Sequence, residues 1–362
     1  MPKALYAGGA FLPETMIFGL AISFIITPFV RRLSLRARIL DVPHDGRRMH
    51  KNAVPLAGGA GIIAAFLFSS AAFFAGGDAA RLAVFCILCG IYGFFDDKLA
   101  FPVWAKLSFQ AAVSFSCALT LVRAEAVSFF GQTIFLGSLS VPTTAAWIAF
   151  MMNAVNLTDG MDGLCSGTSA VSAACLSILL FLHGDISFAV SAAALSGACL
   201  GFLFHNSAPA GIFMGETGSA FLGFALAVLS LPLFSAREPL SLFCVLPAVL
   251  FPVCEAASSF LRRIEKGGNP FAPDKLHMHH VLYARFGSVP TVCTVMYAFS
   301  LLCAFSALKY AREPLLSLLL FAFSVVFMRL MLARGRLFTL SPRRQRARRA
   351  EYRARQGRRR AR

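Results

Sequence analysis

The chain has 362 residues, 57% of them hydrophobic and 14% charged, with a formal net charge of +17. An ordinary soluble domain, with about a quarter of its residues charged, is excluded, and so is a disordered chain, which lacks this apolar content. Its ten cysteines fall almost wholly inside apolar runs, which argues against a disulfide framework or a structural zinc site.

Eleven apolar runs follow one another along the chain, at about 13–30, 56–75, 82–97, 103–122, 141–157, 165–182, 187–205, 217–234, 239–261, 291–308 and 314–333. Each approaches the roughly 20 residues with which a helix crosses a bilayer, and none alternates like a barrel strand. The predicted fold is therefore all-α and polytopic, since lipid offers backbone groups no partner. Arg31, Arg32, Arg36 and Arg38 follow the first run instead of preceding it, the pattern of an uncleaved anchor with its N-terminus outside. Eleven spans then bring the C-terminus into the cytoplasm. On this path Lys3, Arg81, Arg123, Arg237, Lys309 and Arg312 face outside, and the other 28 of 34 basic residues face inside. Residues 1–333 form one multi-span domain, and residues 334–362 an Arg-rich cytoplasmic tail expected to be disordered. Cys86 and Cys89 form a C-x-x-C in the middle of a run and read as core packing.

The polar clusters come in the same order. "DVPHDGRRMHKNAVPLAGG" (41–59) follows the first run, "FFDDK" ends the third and "NAVNLTDGMDG" ends the fifth. "FHNSAPAGIFMGETGS" follows the seventh and "NPFAPDKLHMHH" the ninth. All five follow odd-numbered runs, so all open on the cytoplasmic side and predict a cytoplasm-facing cleft. Five carboxylates there, Asp96, Asp97, Asp159, Asp162 and Glu216, suit magnesium, which takes oxygen ligands and is usually held by one or two carboxylates together with substrate phosphates. Arg47, Arg48, Lys51, Lys106, His277, His279 and His280 would neutralise the remaining phosphate charge. Asp96 and Asp97 stand at the negative end of a span, where the helix dipole disfavours anions, and they call for a compensating cation. Asn153, Asn156 and Asp159 are spaced three apart, so neighbours share a helix edge. The three histidines could be metal ligands, satisfied loop residues or phosphate binders; their spacing is not that of a helical zinc pair, and phosphate binding or positioning is the preferred reading. The tail suits anionic lipid headgroups, worth about 1 kcal/mol per basic residue near the surface, with RNA the weaker reading.

Taken in order, "GFFDDK", "NAVNLTDGMDGL", "FMGETGS" and "PFAPDKLHMHH" resemble the motifs of the polyprenyl-phosphate N-acetylhexosamine-1-phosphate transferases, of glycosyltransferase family 4 type. The interrupted histidine run resembles the branch that transfers GlcNAc-1-phosphate more than the phospho-N-acetylmuramoyl-pentapeptide translocases, whose histidines are consecutive. The resemblance implies transfer of a sugar-1-phosphate from a UDP-N-acetylhexosamine to undecaprenyl phosphate in the inner membrane, with magnesium, or manganese in its place, as cofactor. It implies Asp96 and Asp97 as catalytic. Glu216, with Asp97 and Asn156, would be the metal ligands. Asn153, Asn156, Asp159, Asp162, Lys106, His277, His279, His280, Arg47 and Lys51 would bind substrate. The family writes Asp where this chain has Glu216, which leaves a catalytically impaired homologue acting as a scaffold, or translocase activity, as alternatives. No nucleic-acid partner is expected, and a homodimer is compatible with the sequence.

Overall fold

The computed structural model describes residues 2–42, 53–73, 77–129, 131–235, 240–265, 277–310 and 312–339. Helices dominate: α1 (Pro2–Arg36), α2 (Gly59–Phe73), α3 (Gly77–Leu99), α4 (Val103–Thr120), α5 (Ser140–Thr158), α6 (Leu164–His183), α7 (Ile186–Asn206), α8 (Gly215–Ser230), α9 (Leu242–Ala248), α10 (Leu250–Glu265), α11 (Met278–Phe286), α12 (Val289–Lys309) and α13 (Pro314–Thr339). The described residues also form two short antiparallel pairs, β1 (Leu40–Asp41) with β2 (Val54–Pro55) and β3 (Ala126–Phe129) with β4 (Gln132–Phe135), and two 3-10 turns, Gly137–Leu139 and Leu231–Phe234.

All eleven predicted runs are occupied by helices. Seven of those helices are long and apolar enough to cross a membrane, or eight if α9 and α10 count as one bent span. The protein is thus an all-helical, multi-pass membrane protein. The runs occupied by α2, α4 and α5 do not reach that standard. With fifteen residues α2 covers about 22 Å, short of the roughly 30 Å hydrocarbon core.

The helices are arranged as a centre and a rim. The apolar window within Gly215–Phe234 is wholly buried, and 78% of the window is buried in each of α6 and α7, against 17% in α1 and in α13. α8 is thus the axis, enclosed by α2, α3, α5, α6 and α7. Exposed Phe, Leu and Ile side chains on α1, α3 and α13 are the lipid-facing surface. α1 packs along α7 through small residues: a Cβ on Gly197 or Gly201 would meet the α1 backbone carbonyl of Met16 at 2.0 Å or of Leu20 at 2.2 Å.

One predicted span is broken. α9 and α10 meet at an angle of 85° instead of continuing through 239–261. Pro252 explains the position of the break: it lacks an N–H, and its ring excludes the carbonyl four residues back, at Ala248, where α9 ends. After the turn, α10 packs against α5 and α12.

Candidate active site

The acidic pair lies at the C-terminal end of α3, where unpaired carbonyls disfavour an anion. Two different neighbours remove that penalty. Asp96 is 3% exposed. Its Oδ1 accepts the Phe101 N–H at 2.8 Å, closing the turn after the helix, and its Oδ2 lies 2.6 Å from Lys106 Nζ on α4. Asp97 faces the first turn of α8, whose free amides are the positive end of that helix. Its Oδ1 accepts the Glu216 N–H at 2.8 Å. Its Oδ2 accepts the Thr217 N–H at 3.1 Å and the Thr217 hydroxyl at 2.7 Å. The compensation that the sequence demanded at this pair comes from the chain itself, as a lysine and a helix N-terminus. Gly215 makes the approach: its φ is +69°, and a Cβ there would lie 2.5 Å from Asp97 Oδ2.

Glu216 extends the network. Its Oε1 accepts from Lys106 Nζ at 2.9 Å, so one ammonium bridges Asp96 and Glu216. Its Oε2 accepts from Asn156 Nδ2 near the end of α5, which also faces Ser219 Oγ at 3.2 Å. One turn back, Asn153 donates to Gln110 Oε1 on α4 at 2.7 Å and to its own helix at the Ala149 carbonyl. Four helices, α3, α4, α5 and α8, thus bring Asp96, Asp97, Lys106, Asn156 and Glu216 into one polar network, with Asn153 and Gln110 paired on α5 and α4.

The "NLTDGMDG" turn continues from α5. Burial pushes the Asp159 carboxyl well above the usual carboxylate range, and the charges of Glu216, Asp97 and Asp162 raise it further. Asp162 is tied to the connection between α7 and α8, where its Oδ2 accepts the Ala210 N–H at 3.0 Å. Gly163 donates to buried Asn206 Oδ1 at 3.0 Å, and its carbonyl accepts the Tyr297 hydroxyl at 2.7 Å. Sequence reasoning passed over Tyr297 and Gln110, and gave no role to Asn206 and Thr217, which stand in the polar clusters it quoted. Their signal was only that of a polar group beside or inside an apolar run.

The histidine segment reaches the same turn. His279 is 1% exposed, and a Cβ on Gly160 would come within 2.5 Å of its Nε2. Burial holds His279 well below the ordinary imidazole range and lowers His280, with the neighbouring histidines adding to both shifts. Both ring nitrogens of His279 are buried without a hydrogen-bond partner among the described residues. His277 is held by a side chain that the sequence reading missed: its Nδ1 lies 3.0 Å from Oε1 of Glu255, a fully buried acid on α10. Arg47, Arg48, Lys51 and the chain after Thr339 lie outside the described residues. The residues that flank the first of these segments are fixed beside the site. Leu40 and Asp41 pair with Pro55 and Val54, and the Pro55 carbonyl accepts the Phe213 N–H at 2.9 Å.

Residues 79–233 match the family described as Glycosyl transferase family 4. Over 328 residues the chain is 30% identical to the probable undecaprenyl-phosphate N-acetylglucosaminyl 1-phosphate transferase of Bacillus subtilis (strain 168), covering 87% of this chain and 89% of the relative. It is 30% identical to the decaprenyl-phosphate N-acetylglucosaminephosphotransferase of Mycobacterium leprae (strain TN), over 83% of this chain and 85% of the relative. It is 29% identical to the undecaprenyl-phosphate alpha-N-acetylglucosaminyl 1-phosphate transferase of Escherichia coli (strain K12), over 77% and 79%. The matched family segment carries Asp96, Lys106, Asn156 and Glu216, the residues joined in one network, and the likeness to relatives runs through most of the chain. The chain belongs to glycosyl transferase family 4.

Proposed function

We propose that the protein transfers N-acetylhexosamine-1-phosphate, in the first instance GlcNAc-1-phosphate, from a UDP-sugar to undecaprenyl phosphate, releasing UMP. The observation that carries this reading is the network in which Lys106 bridges Asp96 and Glu216 while Asn156 holds the other oxygen of Glu216. The names of the three relatives agree with it. An oxygen of the lipid phosphate attacks the sugar-bearing phosphorus. The bond from that phosphorus to the bridging oxygen breaks, and UMP leaves with the oxygen and the electron pair. One phosphoanhydride is exchanged for another, so the work left to the protein is positioning and charge neutralisation.

Each residue has a part in that exchange. Asp96 takes the proton of a lipid phosphate that arrives singly protonated, or orients it when none is left. Lys106 turns from the two carboxylates toward the incoming phosphate. Asn153, Asn156, Asp159 and Asp162 line the nucleotide side, with His277, His279 and His280 beside them and Arg47 and Lys51 on the neighbouring connection. A divalent ion belongs to this reading on the chemistry of the carboxylates. Among the described residues no three acidic, Cys or His side chains form a cage of their own, yet Asp159 feels three other carboxylates, and magnesium habitually completes one or two carboxylates with substrate phosphates. Glu216, Asp97 and Asn156 would hold magnesium, or manganese in its place, and the ion would supply charge neutralisation at the diphosphate.

The full path of eleven spans, N-terminus outside and C-terminus inside, belongs to this proposal, as does residence in the cytoplasmic membrane. The charge asymmetry and the shared face of the motifs support it. Purified protein given undecaprenyl phosphate, magnesium and a panel of UDP-N-acetylhexosamines should release UMP only when both substrates are present, fastest with its own donor. No UMP from the wild type with any donor would overturn the proposal; silence in the wild type with activity in Glu216→Asp would mark a disabled relative.

A further inference from the structure

Glu255 is the one fully buried acid among the described residues, and the reaction proposed above leaves it without a task. It sits one turn into α10, directly after the 85° break, so the break carries it beneath the histidine segment. One oxygen does two things there. Glu255 Oε1 accepts the Met278 N–H at 3.0 Å, which caps the first turn of α11, and it lies 3.0 Å from His277 Nδ1. Ser259 Oγ, one turn further along α10, lies 3.2 Å from the same nitrogen. His279 Nδ1 is 3.8 Å from Glu255 Oε1. The ring of His279 is parallel to that of His277, with centroids 5.6 Å apart, and it rests on Gly160 of the "NLTDGMDG" turn.

Glu255 Oε1 accepts the Met278 N–H, so the same oxygen faces His277 Nδ1 as an acceptor, and Nε2 is the ring nitrogen left to face the site. Burying an acid costs several kcal/mol unless it is paired, and a capping role alone would be met by a serine or an asparagine. An acid at this depth is explained by what it does to the imidazole: it fixes the ring orientation, as carboxylates behind working histidines do. We propose that Glu255 is a positioning residue, which fixes the His277 ring through Nδ1 so that an N–H at Nε2 can donate to the substrate phosphates, and which sets the histidine segment against the turn that carries Asp159 and Asp162. The inference rests on the transferase reading, with His277 on the phosphate side.

The test is a double-mutant cycle on UMP release by full-length protein in lipid nanodiscs, with Glu255→Ala, His277→Ala and the pair, and with Glu255→Gln as the shape-preserving control. Each single alanine variant should lower kcat by about 10- to 100-fold, the range for partners that orient a working histidine. The double variant should be no more than about threefold worse than the poorer single, because Glu255 acts through His277. Glu255→Gln keeps an acceptor for both N–H groups and should retain at least about a fifth of wild-type turnover. A residue that merely stabilised the fold would couple to melting temperature and not to His277. Loss in the double variant equal to the product of the two single losses would overturn the proposal, and so would an active Glu255→Ala. Should Glu255→Ala fail to insert, Glu255→Asp replaces it in the cycle: its shorter arm withdraws the oxygen from Nδ1, and wild-type turnover there would equally refute the role. A wild type that releases no UMP would instead overturn the transferase reading itself.

Discussion

Asp97 has two tasks at once: it caps α8 and it contributes charge to the site. Asparagine also caps a helix well, so Asp97→Asn should leave the protein inserted and its melting little changed. Turnover should nevertheless fall at least about 100-fold, as is usual when an ionised group at the reacting centre is lost. Near-normal UMP release by Asp97→Asn and by Asp96→Asn would remove both from the mechanism. Glu216 stands where the resemblance leads one to expect Asp, and the longer arm is in use: one oxygen meets Lys106 and the other meets Asn156. Glu216→Asp shortens the reach by one methylene, a shift on the order of 1 Å, so turnover should change by up to about 100-fold while magnesium dependence persists. Glu216→Gln should abolish that dependence, as read by UMP release across a magnesium titration after chelation. Most of these residues were legible because lipid makes any clustered polar residue an anomaly. Their pairings were not: Lys106 and Glu216 stand 110 positions apart, and only the packing of four helices introduces them. Glu255 escaped notice because it stands alone in an apolar run, with its partners on a different helix.

The entrance of α8 is the place where helices rather than side chains decide the geometry. A Cβ on Gly59 of α2 would lie 2.2 Å from the Gly218 nitrogen, and one on Gly93 of α3 would lie 2.4 Å from the Glu216 carbonyl oxygen. Both obstacles are backbone, so no rotamer change relieves them. Gly93→Ala should therefore destabilise the protein by about 1–3 kcal/mol and lower its melting temperature. It should also cut turnover by roughly two orders of magnitude, because the strain falls on the segment that aims Glu216. Gly77→Ala is the matched control on the same helix: nothing lies within 4 Å of its Cβ, and neither quantity should move. Equal effects at the two positions would mean that close packing of α3 on α8 does not set the site. The helices themselves were plain in the sequence, since apolar length is what a bilayer selects. The break between α9 and α10 was not, because hydropathy counts apolar residues and takes no account of the Ala248 carbonyl that Pro252 excludes.

For the whole molecule the open quantity is orientation, which no contact inside the protein fixes and which basic residues argue through loop charge alone. α3 offers a direct test. Arg81 and Lys98 are both exposed, seventeen residues apart on one continuous helix, a rise of about 26 Å that nearly matches the hydrocarbon thickness. The two positions therefore lie near opposite faces whichever way the chain is threaded. Nine of the ten native cysteines are buried and Cys254 is half-buried, so a Cys254→Ser background should be quiet to a membrane-impermeant maleimide. In intact cells Arg81→Cys should then be labelled and Lys98→Cys should not, with the second position labelled only after the membrane is opened. The reverse pattern would turn every motif toward the outside. UDP-sugars and magnesium are supplied from the cytoplasm, so a cleft facing outward could not carry the proposed transfer, however well its residues are arranged. Deleting residues 340–362 should leave the labelling pattern and turnover in detergent unchanged, because the asymmetry of the remaining loops already sets the direction of insertion.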